Sequence, residues 1–228
     1  MKIHVTTLFR KIAAAIFVAS IALFSAQTHA TTLSFVEVVK DGGPNLSGQL
    51  SAEITQIASG AKFVFKNAVG FDSSIAGIFF DIGTSNIDTI NFSAADSSLT
   101  GVDFKPITNP TLPEGGTLNP EFVASFGEKK DGSASNGIDA DGEFAGFLVA
   151  LGGGFSFQNL ISDIWAGTFR VGLHVISIAS EPDGADGGFG GSDAYVNAVP
   201  VPAAAWLFGS ALFGFVVARR RKQSLDEV

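Results

Sequence analysis

Three closely spaced acidic residues are the pattern in this sequence that could bind a metal ion. Asp139, Asp141 and Glu143 place three carboxylates within five residues, with Gly142 between the last two. Calcium takes about six to eight oxygen ligands, and carboxylates on a loop bent by glycine can supply several of them. Asp and Gly are also common in ordinary turns, and the spacing differs from that of an EF-hand loop. We therefore expect at most one weak calcium site here and no other cofactor.

Residues that could form a catalytic centre are scarce. The sequence has no cysteine, which excludes thiol nucleophiles and thiolate metal sites, and no Gly-x-Ser-x-Gly motif. His174 is the one histidine beyond the first 30 residues, and without a partner motif we expect it to be a solvent-facing or edge-facing strand residue. A glycosidase would need two suitably spaced carboxylates, and a chain with 22 acidic residues offers many uninformative pairs. We predict that the protein is not an enzyme.

The N-terminus has the three parts of a secretory signal peptide. Basic residues within the first eleven positions precede an uncharged apolar run, 12–26, and a small residue follows at Ala30. Fifteen apolar residues form about 22 Å of helix, short of the ~30 Å hydrocarbon core of a bilayer. We predict a signal peptide over 1–30, cleaved after Ala30 by signal peptidase following export through the Sec machinery. The alternative is an uncleaved anchor helix.

The C-terminus has the features of a membrane-sorting tail. Two prolines, Pro200 and Pro202, precede an apolar run at 203–218, and four basic residues follow at 219–222. Sixteen residues form about 24 Å of helix, which can span a membrane if the basic side chains reach toward the interface. The basic flank places 223–228 in the cytoplasm, and Trp206 would then lie at the opposite interface.

This tail resembles the PEP-CTERM sorting domain of Gram-negative bacteria, and the stretch V-P-V-P-A at 199–203 is similar to its VPLPA-CTERM variant. The glutamate between the prolines of the main family is missing, which leaves the exosortase subtype and the cut position open. The resemblance covers 199–222 and implies export to the cell surface, processing by an exosortase and a role in the exopolysaccharide or biofilm matrix. The sorting residues that it implies are Val199, Pro200, Val201, Pro202, Ala203, Trp206, Arg219, Arg220 and Arg221. The alternative is a single-pass surface protein that stays anchored.

The middle segment, 31–198, is expected to be the secreted domain. It carries 20 of the 22 acidic residues and 7 of the 14 basic ones, so it is strongly acidic and unsuited to bind nucleic acid. Alternating apolar and polar residues bounded by turn formers predict an antiparallel β-sandwich, jelly-roll-like. The runs with strand character are 33–39, 50–55, 61–66, 75–82, 87–92, 144–151 and 169–178, of which periodicity leaves 144–151 open between strand and helix.

One segment has helical rather than strand spacing. Its apolar residues are Phe157, Leu160, Ile161, Ile164 and Trp165, which predicts a short helix covering one edge or end of the sandwich with all five side chains in the core. Ser156 is placed to cap its start and Gly167 to end it. Proline and glycine content predicts loops over 106–120 and 181–193.

Two functions remain open for the secreted domain. A structural role in the polysaccharide matrix follows from the resemblance, and the stretches 169–175 and 191–197 also resemble a β-rich module found with such tails, to which no chemistry is assigned. A carbohydrate-binding module would need exposed aromatic side chains beside polar groups. The aromatic residues available for such a surface are Tyr195, Trp165 and some of the phenylalanines, and Trp165 is expected in the core, so this hypothesis depends mainly on Tyr195.

Overall fold

The computed structural model describes residues 30–40, 43–98, 100–133, 136–139, 142–179 and 191–199. About half of these residues lie in strands, and one α-helix is present among them. The strands are β1 Ala30–Val39, β2 Leu50–Ile57, β3 Gly60–Asn67, β4 Ser74–Asp81, β5 Ile87–Ser93, β6 Phe104–Pro106, β7 Phe126–Lys130, β8 Ile138–Asp139, β9 Phe144–Leu151, β10 Arg170–Ile178 and β11 Gly191–Asn197, with the helix α1 at Phe157–Ala166. The predictions of a mainly β domain and of one short helix are confirmed, whereas both predicted terminal helices lie outside the described residues.

The strands form one antiparallel sheet that nearly closes on itself. Its hydrogen-bonded order is β5-β9-β3-β2-β1-β11-β10-β4-β7-β6, and β8 pairs with β4. The two ends of this path approach each other, because β5 contacts both β6 and β7. Strand β1 links the two halves, since residues 30–34 pair with β2 and residues 35–39 pair with β11.

Alternation along β10 decides which side chains enter the interior. Val171, Leu173 and Val175 are fully buried, and Arg170 and His174 lie on the opposite face, as the sequence pattern predicts. The interior is filled largely by phenylalanine, whose rings pack in tilted and edge-to-face pairs. The fully buried rings are Phe35, Phe63, Phe65, Phe79, Phe80, Phe147 and Phe169, of which Phe79 belongs to a second cluster on the outer face.

The helix begins and ends where the sequence predicts. The Ser156 hydroxyl accepts a hydrogen bond from the Asn159 backbone N–H, and the Asn159 side chain accepts one in return from the Ser156 N–H. Gly167 ends the helix with a φ of 74°, the left-handed conformation that favours glycine. Asp163 accepts a hydrogen bond of 2.6 Å from the Ser85 hydroxyl, so the helix is held over the turn between β4 and β5.

The prediction that Trp165 is a core residue is wrong. Its side chain is 53% exposed, whereas the other four apolar residues of the helix are buried. Successive helix residues are about 100° apart, which places Trp165 at the margin of the apolar stripe. No element that the structure describes buries it there.

A long loop, residues 107–125, covers the outer face of one half of the sheet. Leu112 and Phe122 of this loop pack with Phe79, Ala194 and Val196 in a cluster separate from the interior. The packing of the loop on the sheet depends on Gly172 in β10, because a Cβ at that position would lie 2.8 Å from a Leu112 methyl carbon. The predicted loop over 106–120 is confirmed from residue 107 onward, with a single 3₁₀ turn at Gly115–Thr117, whereas Pro106 is the last residue of β6.

Two parts of the strand assignment need correction. Residues 191–193 belong to β11 and not to a loop, since their glycine and aspartate content hid the start of a strand that is central in the sheet. The short strands β6, β7 and β8 were not predicted, because two to five residues are too few to display a period. The ambiguous run 144–151 is strand β9.

Candidate functional site

A buried arginine fixes the long loop to the sheet. Arg170 lies opposite Asp81 in the pairing of β10 with β4, and its Nε donates a hydrogen bond of 3.1 Å to Asp81 Oδ2. The guanidinium also donates to the backbone carbonyl oxygens of Pro120 (2.8 Å) and Glu121 and lies 5.2 Å from the Phe122 ring centre. The two charged side chains are 11% and 9% exposed, so water screens their attraction little.

An apolar groove lies beside this arginine, and we call it the C-terminal groove. It has a volume of about 390 Å³ between β1, the long loop and the end of α1. Twelve described residues line it, and Arg170 is the only one of them with a charge. Its apolar walls come mainly from Val36, Val38, Leu118, Pro120, Val196 and Val199.

The chain leaves the sheet at the edge of this groove. β11 ends at Asn197, and the Ala198 backbone N–H still donates a hydrogen bond of 2.8 Å to the Ser34 carbonyl oxygen. Val199 follows, 43% exposed, with a methyl carbon 3.2 Å from the place where a Cβ on Gly167 would lie. The segment that the sequence predicts to be a sorting motif therefore starts one residue after the last backbone pairing of the sheet.

Most residues of the predicted signal peptide and sorting tail lie outside the described part of the chain. Of the sorting residues, only Val199 is described, and those outside the described residues are Pro200, Val201, Pro202, Ala203, Trp206, Arg219, Arg220 and Arg221. The predicted cleavage position, Ala30, is the exposed first residue of β1 and pairs with Thr55.

Two of the three acidic residues predicted to bind calcium are described. Asp139 ends β8 and Glu143 precedes β9, and a Glu143 carboxylate oxygen accepts a hydrogen bond of 3.0 Å from the Asp139 backbone N–H. Asp141 lies outside the described residues. Among the residues that are described, no group of three or more His, Cys, Asp or Glu is arranged to hold a metal ion. Calcium binding stays a prediction.

His174 lies on the face of β10 opposite the interior, as predicted, and is half-buried there; the alternative that it lies at a sheet edge is wrong, because β10 is a central strand. Its Nε2 lies 3.4 Å from the Ser192 hydroxyl. Burial lowers the pKa of the imidazole, and the positive charge of Lys129 lowers it further. A serine-histidine-aspartate site uses a carboxylate to stabilise the imidazolium. The charge that acts on His174 is instead the positive charge of Lys129, which disfavours the imidazolium.

Tyr195 is fully buried, so the prediction that it forms an exposed aromatic surface is wrong. It lies opposite Glu37 in the pairing of β1 with β11, on the inner face of the sheet, and its hydroxyl accepts a hydrogen bond of 3.1 Å from the Leu46 backbone N–H. Burial raises the pKa of the phenol. The alternation of apolar and polar residues along β11 is obscured because Asp193, on the same face as Tyr195, is acidic. The sequence pattern therefore does not indicate that Tyr195 belongs to the core.

A carboxyl pair that sequence reasoning missed lies beside this tyrosine. The carboxyl groups of Glu37 and Asp193 lie close enough for the charge of one to act on the other. Burial raises the pKa of Glu37, and the negative charge of Asp193 raises it further. The signal in the sequence is an acidic residue at an inward position of each of two strands.

A second missed residue is Glu128 on β7, only 3% exposed and opposite the core residue Ile78. Burial raises the pKa of its carboxyl to about 7, although a hydrogen bond from the Phe92 backbone N–H opposes this. Its Oε2 atom has no hydrogen-bond partner. Because Phe92 belongs to β5, this contact bridges the seam where the sheet nearly closes.

Comparisons with known proteins do not assign these features. No protein-family model matches the chain, and no curated protein or solved structure matches it significantly. Among the residues that the structure describes, no helix is both long enough and apolar enough to cross a membrane.

Proposed function

We propose that this protein is a non-enzymatic, exported cell-surface or extracellular-matrix protein that an exosortase sorts through the C-terminal tail. Its predicted partners are the Sec machinery, signal peptidase, an exosortase, the membrane and extracellular polysaccharide. One observation carries the proposal: the V-P-V-P-A stretch starts at an exposed residue directly after the last paired residue of the sheet. A peptidase needs its substrate segment outside the fold, and Val199, the first residue of the stretch, lies beyond the last backbone pairing of the sheet.

The positions of the two predicted cuts also support the proposal. Strand β1 begins at Ala30, and the last backbone hydrogen bond of the sheet is made at Ala198. Cleavage after Ala30 and beyond Val199 would remove one residue of β1 and none of β11. The domain that remains would keep its core, and its acidity would favour solubility outside the cell.

We further infer that the nearly closed sheet is a jelly-roll-like sandwich. Phe63 of the half that contains β3 meets Phe80 of the half that contains β4, with ring centres 5.9 Å apart and planes at 88°. Contacts of this kind between the inner faces are typical of two packed sheets. Such domains are stable without disulfide bonds when the core is large, which suits a chain without cysteine.

Intact mass spectrometry tests the sorting proposal. The full chain is expressed in a Gram-negative host that carries an exosortase and in the same host without it, and the protein is recovered from the surface and medium. We expect a mature form that lacks the first 30 residues and the basic segment 219–222 only where the exosortase is present. Replacing Pro200 and Pro202 by alanine should block cleavage of the C-terminal tail. Val69→Ala, which lies outside both the signal peptide and the sorting tail, should not. A tail that stays intact in both hosts would indicate permanent anchoring.

Carbohydrate binding is a second candidate, and one observation favours it. Trp165 is 53% exposed at the end of α1, and exposed indole rings commonly stack on sugars in binding modules. Binding to a glycan array that is lost in Trp165→Ala and kept in Tyr195→Phe would support it. Tyr195 is a suitable control because it is buried and cannot contact a glycan at the surface.

A further inference from the structure

We propose that the C-terminal groove is the face by which the folded domain contacts the lipid bilayer while the tail is still attached. The proposal rests on the proposed function, since it requires the apolar run 203–218 to lie in the membrane. Three observations carry it: the place where the chain leaves the sheet, the length of chain before the apolar run, and the lack of acidic side chains among the described residues that line the groove.

The exit position limits how far the groove can lie from the bilayer. Val199 is part of the groove wall, and only residues 200–202 separate it from the start of the apolar run at Ala203. Four Cα–Cα steps span at most about 14 Å when fully extended. The polar interface on each side of the hydrocarbon core is about 5–8 Å thick. The chain between the folded domain and the hydrocarbon core of the bilayer can therefore cross the polar interface and reach little farther. The face of the domain that carries Val199 and the C-terminal groove then lies at the membrane surface.

The chemistry of the face fits a lipid surface. The segment 31–198 holds 20 acidic residues, yet the one charged residue among the twelve that line the groove is Arg170, whose guanidinium is paired with Asp81. Val36 is 46% exposed on the groove wall, and Trp165 lies two residues before Gly167, within about 7 Å of it along the chain. Tryptophan is enriched at membrane–water interfaces and an apolar valine side chain is compatible with a lipid surface, whereas acidic residues would be repelled by anionic headgroups.

The absence of cysteine allows a direct test on the full chain. Val36→Cys places a single thiol on the groove wall, and Val69→Cys is a matched control at a 72% exposed valine in the loop between β3 and β4, outside the groove. Each variant is labelled with an environment-sensitive fluorophore and reconstituted into phosphatidylcholine vesicles that contain a headgroup-level quencher. We expect the label at position 36 to be quenched several-fold more than the label at position 69.

The possible outcomes separate this proposal from the one on which it rests. A chain that does not float with the vesicles would overturn both, because the tail would not be in the membrane. A chain that floats with equal quenching at both positions would overturn the contact face and leave the anchored tail intact. Shielding at position 36 from lipid and aqueous quenchers alike would indicate a second copy or the chain's own tail in the groove, and a response to soluble polysaccharide alone would indicate a glycan site. Either result would also overturn the proposal.

Discussion

Arg170 and Asp81 form an ion pair that joins β10 to β4 at the point where the long loop crosses the sheet. The same guanidinium donates to two carbonyl oxygens of the loop, and Asp81 Oδ2 accepts a hydrogen bond of 3.2 Å from the Val123 backbone N–H. Each charge is thus satisfied by groups of both the sheet and the loop. Removing one partner would leave the other charge buried without its counter-ion, which is costly in a region of low dielectric constant.

Arg170→Ala is therefore expected to lower the free energy of unfolding by about 3–5 kcal/mol, the range for a buried pair that loses one partner. The measurement is urea unfolding followed by circular dichroism, combined with limited proteolysis of the long loop. Lys66→Ala is the matched control, because Lys66 and Glu53 are 3.7 Å apart with side chains 50% and 44% exposed. That change should cost less than about 1 kcal/mol. Equal losses in the two variants would show that the buried pair has no special role.

Glu128 makes stability depend on pH in a predictable direction. Its carboxyl has a pKa of about 7 in the folded protein and an ordinary value of 4.5 in the unfolded chain. Between these values the folded state binds more protons than the unfolded state, so the free energy of unfolding falls as the pH rises from about 4.5 to 7. Integrated over this interval, the loss is of order 3 kcal/mol, and it is complete above pH 7.

Glu128→Gln should remove this loss, since the amide stays neutral at every pH. We expect the variant to gain stability relative to the parent as the pH rises through this interval, and to differ most from it at pH 8. The measurement is a series of urea unfolding curves for both proteins between pH 4 and pH 8. Taking the difference between the proteins cancels the contributions of other titrating groups, such as Glu37. Parallel pH profiles would contradict the prediction.

The sequence predicts those parts of the fold that depend on local patterns. The helix from Phe157 to Ala166 was predicted because its spacing, its capping serine and its terminal glycine all agree. Tyr195 and Trp165 were assigned to the wrong environments, because burial in a strand without clear alternation or at a helix margin depends on what the rest of the chain places there. Glu128 was missed for the same reason: its burial is created by β5, which pairs with β9 at the other end of the sheet path.

The cap of α1 gives a prediction at the level of local structure. Ser156→Ala removes the oxygen that accepts a hydrogen bond of 3.2 Å from the Asn159 N–H, and the first turn of the helix then loses a partner. We expect a loss of about 1 kcal/mol in the free energy of unfolding. Gln158→Ala is the control at an exposed position in the same turn, where alanine is a good helix former and little change is expected. Thermal unfolding of the two variants distinguishes them, and a smaller loss for Ser156→Ala than for Gln158→Ala would show that the cap is not stabilising.

Phe147 is the aromatic residue whose removal should damage the interior most clearly. Its ring contacts those of Phe65, Phe80, Phe92 and Phe104, with centres 5.4–6.2 Å apart. These partners come from β3, β4, β5 and β6, so a cavity at this point would loosen both halves of the sheet and the seam between its ends. Phe147→Ala is expected to cost about 3–5 kcal/mol.

Phe144 lies three residues earlier on the same strand and is 37% exposed, which makes Phe144→Ala the matched control for Phe147→Ala. Both variants remove the same atoms from β9 and change its strand propensity equally, so the difference in their unfolding free energies measures the packing of one ring. We expect that difference to exceed about 2 kcal/mol, because only the buried ring leaves a cavity that its neighbours cannot fill. Urea unfolding at one pH measures it, and comparable losses at the two positions would mean that the phenylalanine cluster is not the main source of interior packing energy.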